Sequence, residues 1–122
     1  MDNEEIRGRD ISRPMDRLEL DGTEYPLAFD MTAFRVAEDV YELQYKRNAN
    51  FAEITQWLGQ GKMGAIMAML YGALIGAGNE ITWAQFAKSF KLDSLPGVRE
   101  ILEKGVKDAL PQVTEEDKKD PQ

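Results

Sequence analysis

The sequence contains no cysteine and no histidine in 122 residues. The first absence removes disulfide staples, thiolate metal sites, iron–sulfur clusters and cysteine nucleophiles together, and it suits a reducing compartment. The second removes the usual general base near neutral pH, the commonest zinc ligand and the middle member of a Ser/His/Asp triad. Basic charge is also short: 15 Lys and Arg against 22 Asp and Glu leave a net charge of −7. That is the wrong sign for a chain that neutralises phosphates by releasing counterions, so no nucleic-acid partner is expected. Long apolar runs are missing too. The longest uncharged stretch, residues 63–79, carries Gly64, Gly72, Gly76 and Gly78. It falls short of the roughly 20 apolar residues that cross a bilayer, so it reads as a buried helix and no membrane partner is expected. The opening Met1-Asp2-Asn3-Glu4-Glu5 is acidic and leads into no apolar run, so no secretory signal is expected.

Carboxylates are what remains for chemistry, and the candidates are Glu38-Asp39, Asp93 and Glu115-Glu116-Asp117. None lies in a loop of alternating oxygen ligands, and adjacent acids on a helix diverge by about 100°, so they do not converge on one ion. Gly59-Gln60-Gly61-Lys62 is too short for a phosphate-cradling GxxxxGK[ST] loop and follows no strand. Neither a metal, a cofactor nor catalysis is expected.

A chain of this length makes one domain, at roughly 100–200 residues each. Residues 1–15 mix charges with Gly8, Ser12 and Pro14 and read as a flexible arm. Leu18-Glu19-Leu20, then Asp21-Gly22, then an alternating run over 23–29, predict a β-hairpin with a type I′ turn. In that register Leu20 faces Thr23 and Leu18 faces Tyr25. Leu18, Leu20, Tyr25, Leu27 and Phe29 then share one face, with Glu19, Glu24 and Ala28 on the other. Pro26 falls opposite Arg17, where its missing N–H points away from the partner strand.

The period then changes to that of helices. Asp30 and Thr32 offer N-cap oxygens before Phe34, Ala37, Tyr41 and Tyr45, which predicts an amphipathic helix over about 32–47 with Lys46 and Arg47 in its last turn. Asn50 caps a short helix over 51–58 that turns Phe51, Ile54, Trp57 and Leu58 to one side. Residues 62–76 are apolar nearly all round, as a central buried helix is. Thr82-Trp83-Ala84-Gln85 is a capping box opening a helix over 83–90 with Trp83, Phe86, Ala87 and Phe90 inward, and Ile81 placed to staple onto Phe86. The last helix starts at Leu95-Pro96, turns Val98, Ile101, Leu102, Val106 and Ala109 inward, tolerates Gly105 at about 1 kcal/mol, and is ended by Pro111. Residues 112–122 form an acidic tail expected to be disordered. The fold class is therefore mainly α: an N-terminal β-hairpin followed by a compact bundle of about five helices over 16–111.

The hairpin Leu18-x-Leu20-Asp21-Gly22-x-x-Tyr25-Pro26-Leu27-x-Phe29, an amphipathic helix, an apolar helix ending in Leu74-Ile75-Gly76-Ala77-Gly78 and the Thr82-Trp83-x-x-Phe86 helix start together resemble the small phage tail assembly chaperones of siphovirus-type phages and related prophages. The resemblance covers about residues 17–110. It implies a non-catalytic protein that binds the tape measure protein and helps recruit tail tube subunits. It also implies a place in the host bacterial cytoplasm and absence from the mature virion.

Such a role needs an accessible apolar surface and enough charge to keep the complex dissolved. Met63, Met67, Tyr71 and Leu74 form the candidate partner-binding stripe, since unbranched Met side chains adapt to varied partner helices. Trp57 and Trp83 are the candidate anchors beside it. All six residues also fit ordinary core packing. An all-apolar helix in so small a domain further points to burial by a partner or by a second copy of the chain, a homo-oligomer. Two other functions compete: a helical adaptor of another complex, and a helix-turn-helix DNA-binding regulator built from the 83–90 and 95–110 helices. Against the latter, Arg99, Lys104 and Lys107 are matched by Glu100, Glu103 and Asp108.

Overall fold

Both residues of the Asp21-Gly22 turn take positive φ, 50° and 83°, the pair of left-handed conformations that a type I′ hairpin requires. The structure, a computed structural model, describes residues 16–119. It pairs β1 (Arg17–Leu20) with β2 (Thr23–Pro26) antiparallel, Leu18 opposite Tyr25 and Leu20 opposite Thr23. Arg17 faces Pro26, and the ladder resumes beyond the proline where the Leu27 N–H donates to the Asp16 carbonyl at 2.8 Å. Leu18, Leu20 and Leu27 are buried, and Tyr25 and Phe29 pack beside them. The arm expected over 1–15 lies outside the described residues.

Five α-helices follow: α1 (Met31–Tyr45), α2 (Phe51–Gly59), α3 (Met63–Gly76), α4 (Trp83–Ser89) and α5 (Leu95–Lys119), with a 3-10 turn at Leu92–Ser94 before the last. Local chemistry starts most of them. The Asp30 carboxylate accepts from the Ala33 N–H at 2.9 Å. Asn50 and Glu53 close a reciprocal capping box at 2.8 and 3.1 Å, and Thr82 and Gln85 close a second at 3.1 and 3.0 Å. Each such cap supplies oxygen acceptors to amides that lack helical partners, and removing one costs typically about 1 kcal/mol. Glu38 accepts from the first amide of α2, Phe51 N–H, at 2.7 Å, and the Phe34 and Phe51 rings meet at 4.2 Å between centroids. These contacts fix α2 against α1.

Three expectations are corrected. Helix α1 stops at Tyr45 rather than Arg47, because Lys46 turns left-handed (φ 55°) and returns its N–H to the Glu42 carbonyl. Ala87 is exposed: α4 has only two turns, and Phe86 and Phe90 carry its inward line. Helix α5 runs through Pro111 to Lys119. A proline removes one helical hydrogen bond, while Gln112, Glu115, Glu116, Lys118 and Lys119 beyond it are good helix formers that continue the same turn. Residues 120–122 lie outside the described residues.

The centre of the fold is the crossing of α1 and α3, which is also its most extensive contact between elements. Gly64, Ala68, Gly72 and Gly76 recur every four residues on α3 and let the two backbones close in. A Cβ at Gly72 would stand 2.3 Å from the Ala33 carbonyl oxygen, one at Gly76 2.8 Å from Asp30 Oδ1, and one at Gly64 3.3 Å from Tyr41 Cε2. The helices therefore run antiparallel, the start of α3 beside the end of α1. Ala65, Ile66, Ala68, Met69, Leu70, Ala73 and Leu74 are buried around this crossing. The hairpin joins α3 through backbone as well: Ala28 N–H donates to the Ala73 carbonyl at 3.1 Å. The Asn79 amide spans the Pro26 and Leu74 carbonyls at 2.8 and 2.9 Å. Gly105, which would weaken an isolated helix, makes room for Phe29, whose ring would lie 2.3 Å from a Cβ there.

Gly72→Ala is expected to lower the unfolding free energy by about 1–3 kcal/mol, because an added methyl must push two backbones apart. Gly97→Ala, where an added Cβ meets nothing within 4 Å, is expected to raise it by up to about 1 kcal/mol. Urea titrations of the two variants check this; equal changes would contradict the close crossing.

Candidate functional site

With Gly72 and Gly76 spent on α1, the larger side chains of α3 point elsewhere, and one edge of the helix is incompletely covered. Met63 is 39% exposed, and Met67 and Tyr71, four and eight residues on, are half-buried. Steps of four residues advance only about 40° around the axis, so the three follow one inclined line. Leu74 lies on the same face but is not part of the open edge. It shares their angular position on the helix, seven residues after Met67, but lies toward the C-terminal end of α3 and is 0% exposed; its assignment to the partner stripe is corrected to core packing.

Aromatic rings flank this edge at both ends. At the start of α3, the absent side chain of Gly64 leaves room for Tyr41 and Tyr45 to lie against the helix. Their centroids are 4.8 Å apart, and Tyr41 is 5.5 Å from Trp57. The Arg47 guanidinium sits 5.0 Å above the Trp57 ring, within cation–π range. The Trp57 carbonyl accepts from the Lys62 N–H at 3.0 Å, holding the backbone before α3 against the end of α2. Tyr45 is 40% exposed. Burial first, and Tyr41 second, push its phenol pKa above the ordinary 10.0, so it is uncharged at neutral pH.

At the other end Tyr71 meets Trp83 edge-on, 5.5 Å between centroids and 82° between planes. Trp83 packs on Phe86, and Phe86 on Phe90. The Tyr71 hydroxyl donates to the Ile81 carbonyl at 2.8 Å, and burial raises its pKa as well. Trp57 and Trp83 are each half-buried: both pack against the core and keep one edge outward. Of the six sequence candidates, Met63, Met67 and Tyr71 share the open edge, Trp57 and Trp83 bracket it, and Leu74 is core. Tyr45 and Arg47 join the surface without having been expected there. The signal that marks them is the left-handed stop at Lys46, which swings Arg47 off the helix axis and onto Trp57.

Elsewhere several polar contacts tie elements together. Two open clefts of about 360 and 380 Å³ meet at the hairpin turn, where Ser89 lines both. The Ser89 hydroxyl donates to Asp21 Oδ2 at 2.7 Å, and Lys91 Nζ lies 3.6 Å from Asp21 Oδ1. The Ser89 hydrogen bond, the largest influence, holds the Asp21 carboxyl below its ordinary 3.8; loss of hydration opposes it, and the nearby Lys91 and then Lys88 add to the lowering. The contact ties the hairpin turn to the end of α4. Glu38 is engaged with the Phe51 amide, and among the described residues no three Asp or Glu side chains gather as a metal site. No helix among them is long and apolar enough to cross a membrane. On α5, Arg99 pairs with Glu103 at 3.5 Å, while Val98, Leu102 and Val106 are buried. No protein-family model, curated protein or solved structure matches the chain.

The depressed Asp21 pKa fixes a sign. Its contribution to stability is complete above the unfolded-state value of 3.8 and is lost as pH falls through the lower folded value. Ser89→Ala is therefore expected to lower the melting temperature at neutral pH, and the gap from the unaltered chain to narrow on acidification. A gap that stays constant with pH would show that the hydrogen bond does not set the Asp21 pKa.

Proposed function

We propose that the protein is a non-catalytic tail assembly chaperone of the phage type. In this reading it binds the tape measure protein during assembly in the host bacterial cytoplasm, helps to bring in tail tube subunits, and is absent from the finished virion. The observation that carries this reading is the half-open apolar edge of α3, Met63, Met67 and Tyr71, bracketed by Trp57 and Trp83. Apolar surface left accessible beside large aromatic anchors is what a keeper of another polypeptide presents.

The chemistry of the chain supports the same direction. Without histidine or cysteine, and with the Ser89–Asp21 contact acting as a tether between hairpin and α4, the chain has binding energy to offer rather than bond-making groups. Its net charge of −7 keeps a complex with an apolar partner dispersed. A tape measure protein is expected to expose apolar helical faces until the tube encloses it, and Met side chains tolerate the variation along such a repeat.

Co-expression with the tape measure protein tests the reading. That protein is expected to partition into the soluble fraction, and to co-purify, only when this chain is present. A tape measure protein equally insoluble with and without it would remove the chaperone function.

A further inference from the structure

We infer that the start of α3 is the docking end of the open edge, and that its partner is an amphipathic helix carrying carboxylates beside its apolar residues. This rests on the polypeptide-holding function proposed above and adds the place and the chemistry of recognition. Two observations lead to it independently. First, exposed apolar side chains gather here: Leu43 and Met31 are singly more exposed, at 64% and 48%, but Met63 and Tyr45, 39% and 40% exposed, lie together beside the half-buried rings of Tyr41 and Trp57. Second, cations edge the same spot. Arg47 lies over Trp57, Lys62 immediately precedes Met63, and the Arg99 guanidinium stands 3.5 Å from the place a Cβ of Gly61 would occupy.

The arrangement selects its occupant. From Met63 to Tyr71 the edge extends about 12 Å at the helical rise, the length of roughly two turns of a partner helix, with ring systems at both ends to hold its ridge. A helix whose apolar residues recur at i, i+3, i+4 and i+7 fits that edge. Carboxylates on its flank would meet Arg47, Lys62 and Arg99, whereas lysines there would be repelled. Glu103, already paired with Arg99, is the acid nearest that guanidinium and leaves Arg47 and Lys62 to carry the preference. Met31, 48% exposed, lies at the far end of α1 and has no such surroundings.

Two dye-labelled synthetic peptides of about 18 residues, a length that permits helix formation on binding, supply the test. Both carry leucines at the i, i+3, i+4, i+7 positions; one has glutamates flanking them and the other lysines. Fluorescence anisotropy with the full chain is expected to show the glutamate peptide binding at least tenfold more tightly than the lysine peptide, and the difference shrinking as salt is raised. Met63→Asp and Tyr45→Asp are each expected to weaken glutamate-peptide binding at least tenfold, with helical circular dichroism unchanged, and Met31→Asp to leave it as it was. The double reversal Arg47→Glu with Lys62→Glu is expected to invert the preference. Equal binding of the two peptides, or binding indifferent to Met63→Asp, overturns the inference. So does self-association of the chain that is abolished by Met63→Asp while neither peptide binds, since the occupant is then a second copy. If the tape measure protein is still solubilised by the Met63→Asp chain, the surface is wrong and the chaperone function stands. If the unaltered chain fails to solubilise it, the function itself fails, whatever the peptides do.

Discussion

The approach of α1 to α3 across Gly72 sets the rest of the molecule. No side chain separates the Ala33 carbonyl from the α3 backbone, so the two helices are locked in rotation and in register along their axes. Four small residues at four-residue spacing carry this contact, and each mid-helix glycine costs about 1 kcal/mol in backbone entropy. The cost is offset by backbone-to-backbone packing and by the burial of the large side chains around it, each contributing roughly 1.5–3 kcal/mol when fully covered. The same geometry positions both ends of the molecule. At one, Ala28 and Asn79 bind the hairpin to the end of α3. At the other, the end of α1 places Tyr41 and Tyr45 on Gly64.

Placing the small residues on one side of α3 has a consequence for the other sides. Its other sides pack against α2, α4, the hairpin and one face of α5. Most of its circumference is buried, and the shortfall falls along Met63, Met67 and Tyr71. Core and surface are thus not alternatives for this stripe. Met67 and Tyr71 pack against the core and still show an edge, and Leu74 is wholly inside. The aromatic brackets behave likewise: Trp83 is held by Tyr71 and Phe86, and Trp57 by Tyr41 and Arg47.

Local chemistry made much of the fold legible in the sequence. Asp21-Gly22 specified the hairpin and its register because few residues accept two successive positive φ values. Asn50 and Thr82 specified helix starts because they supply the missing acceptors. What was not legible depended on partners distant in the chain. Gly72 and Gly105 look like weak points until Ala33 and Phe29 are seen against them. Pro111 looks like a stop, yet a proline forfeits one bond of a helix that good helix formers resume. The candidate surface was half legible: periodicity placed Met63, Met67 and Tyr71 together but could not say which side α1 would cover. That depends on the glycines, while Leu74, on the same face nearer the end of α3, is buried.

Methionine methyl groups report on this edge directly, because three of the six methionines lie on α3 in different surroundings. In methyl NMR of the full chain titrated with its polypeptide partner, the Met63 and Met67 signals are expected to shift while that of Met69, 0% exposed, stays in place. Stationary Met63 and Met67 signals under saturating partner, or a Met69 signal that moves as far as theirs, would contradict an outward-facing binding edge on α3.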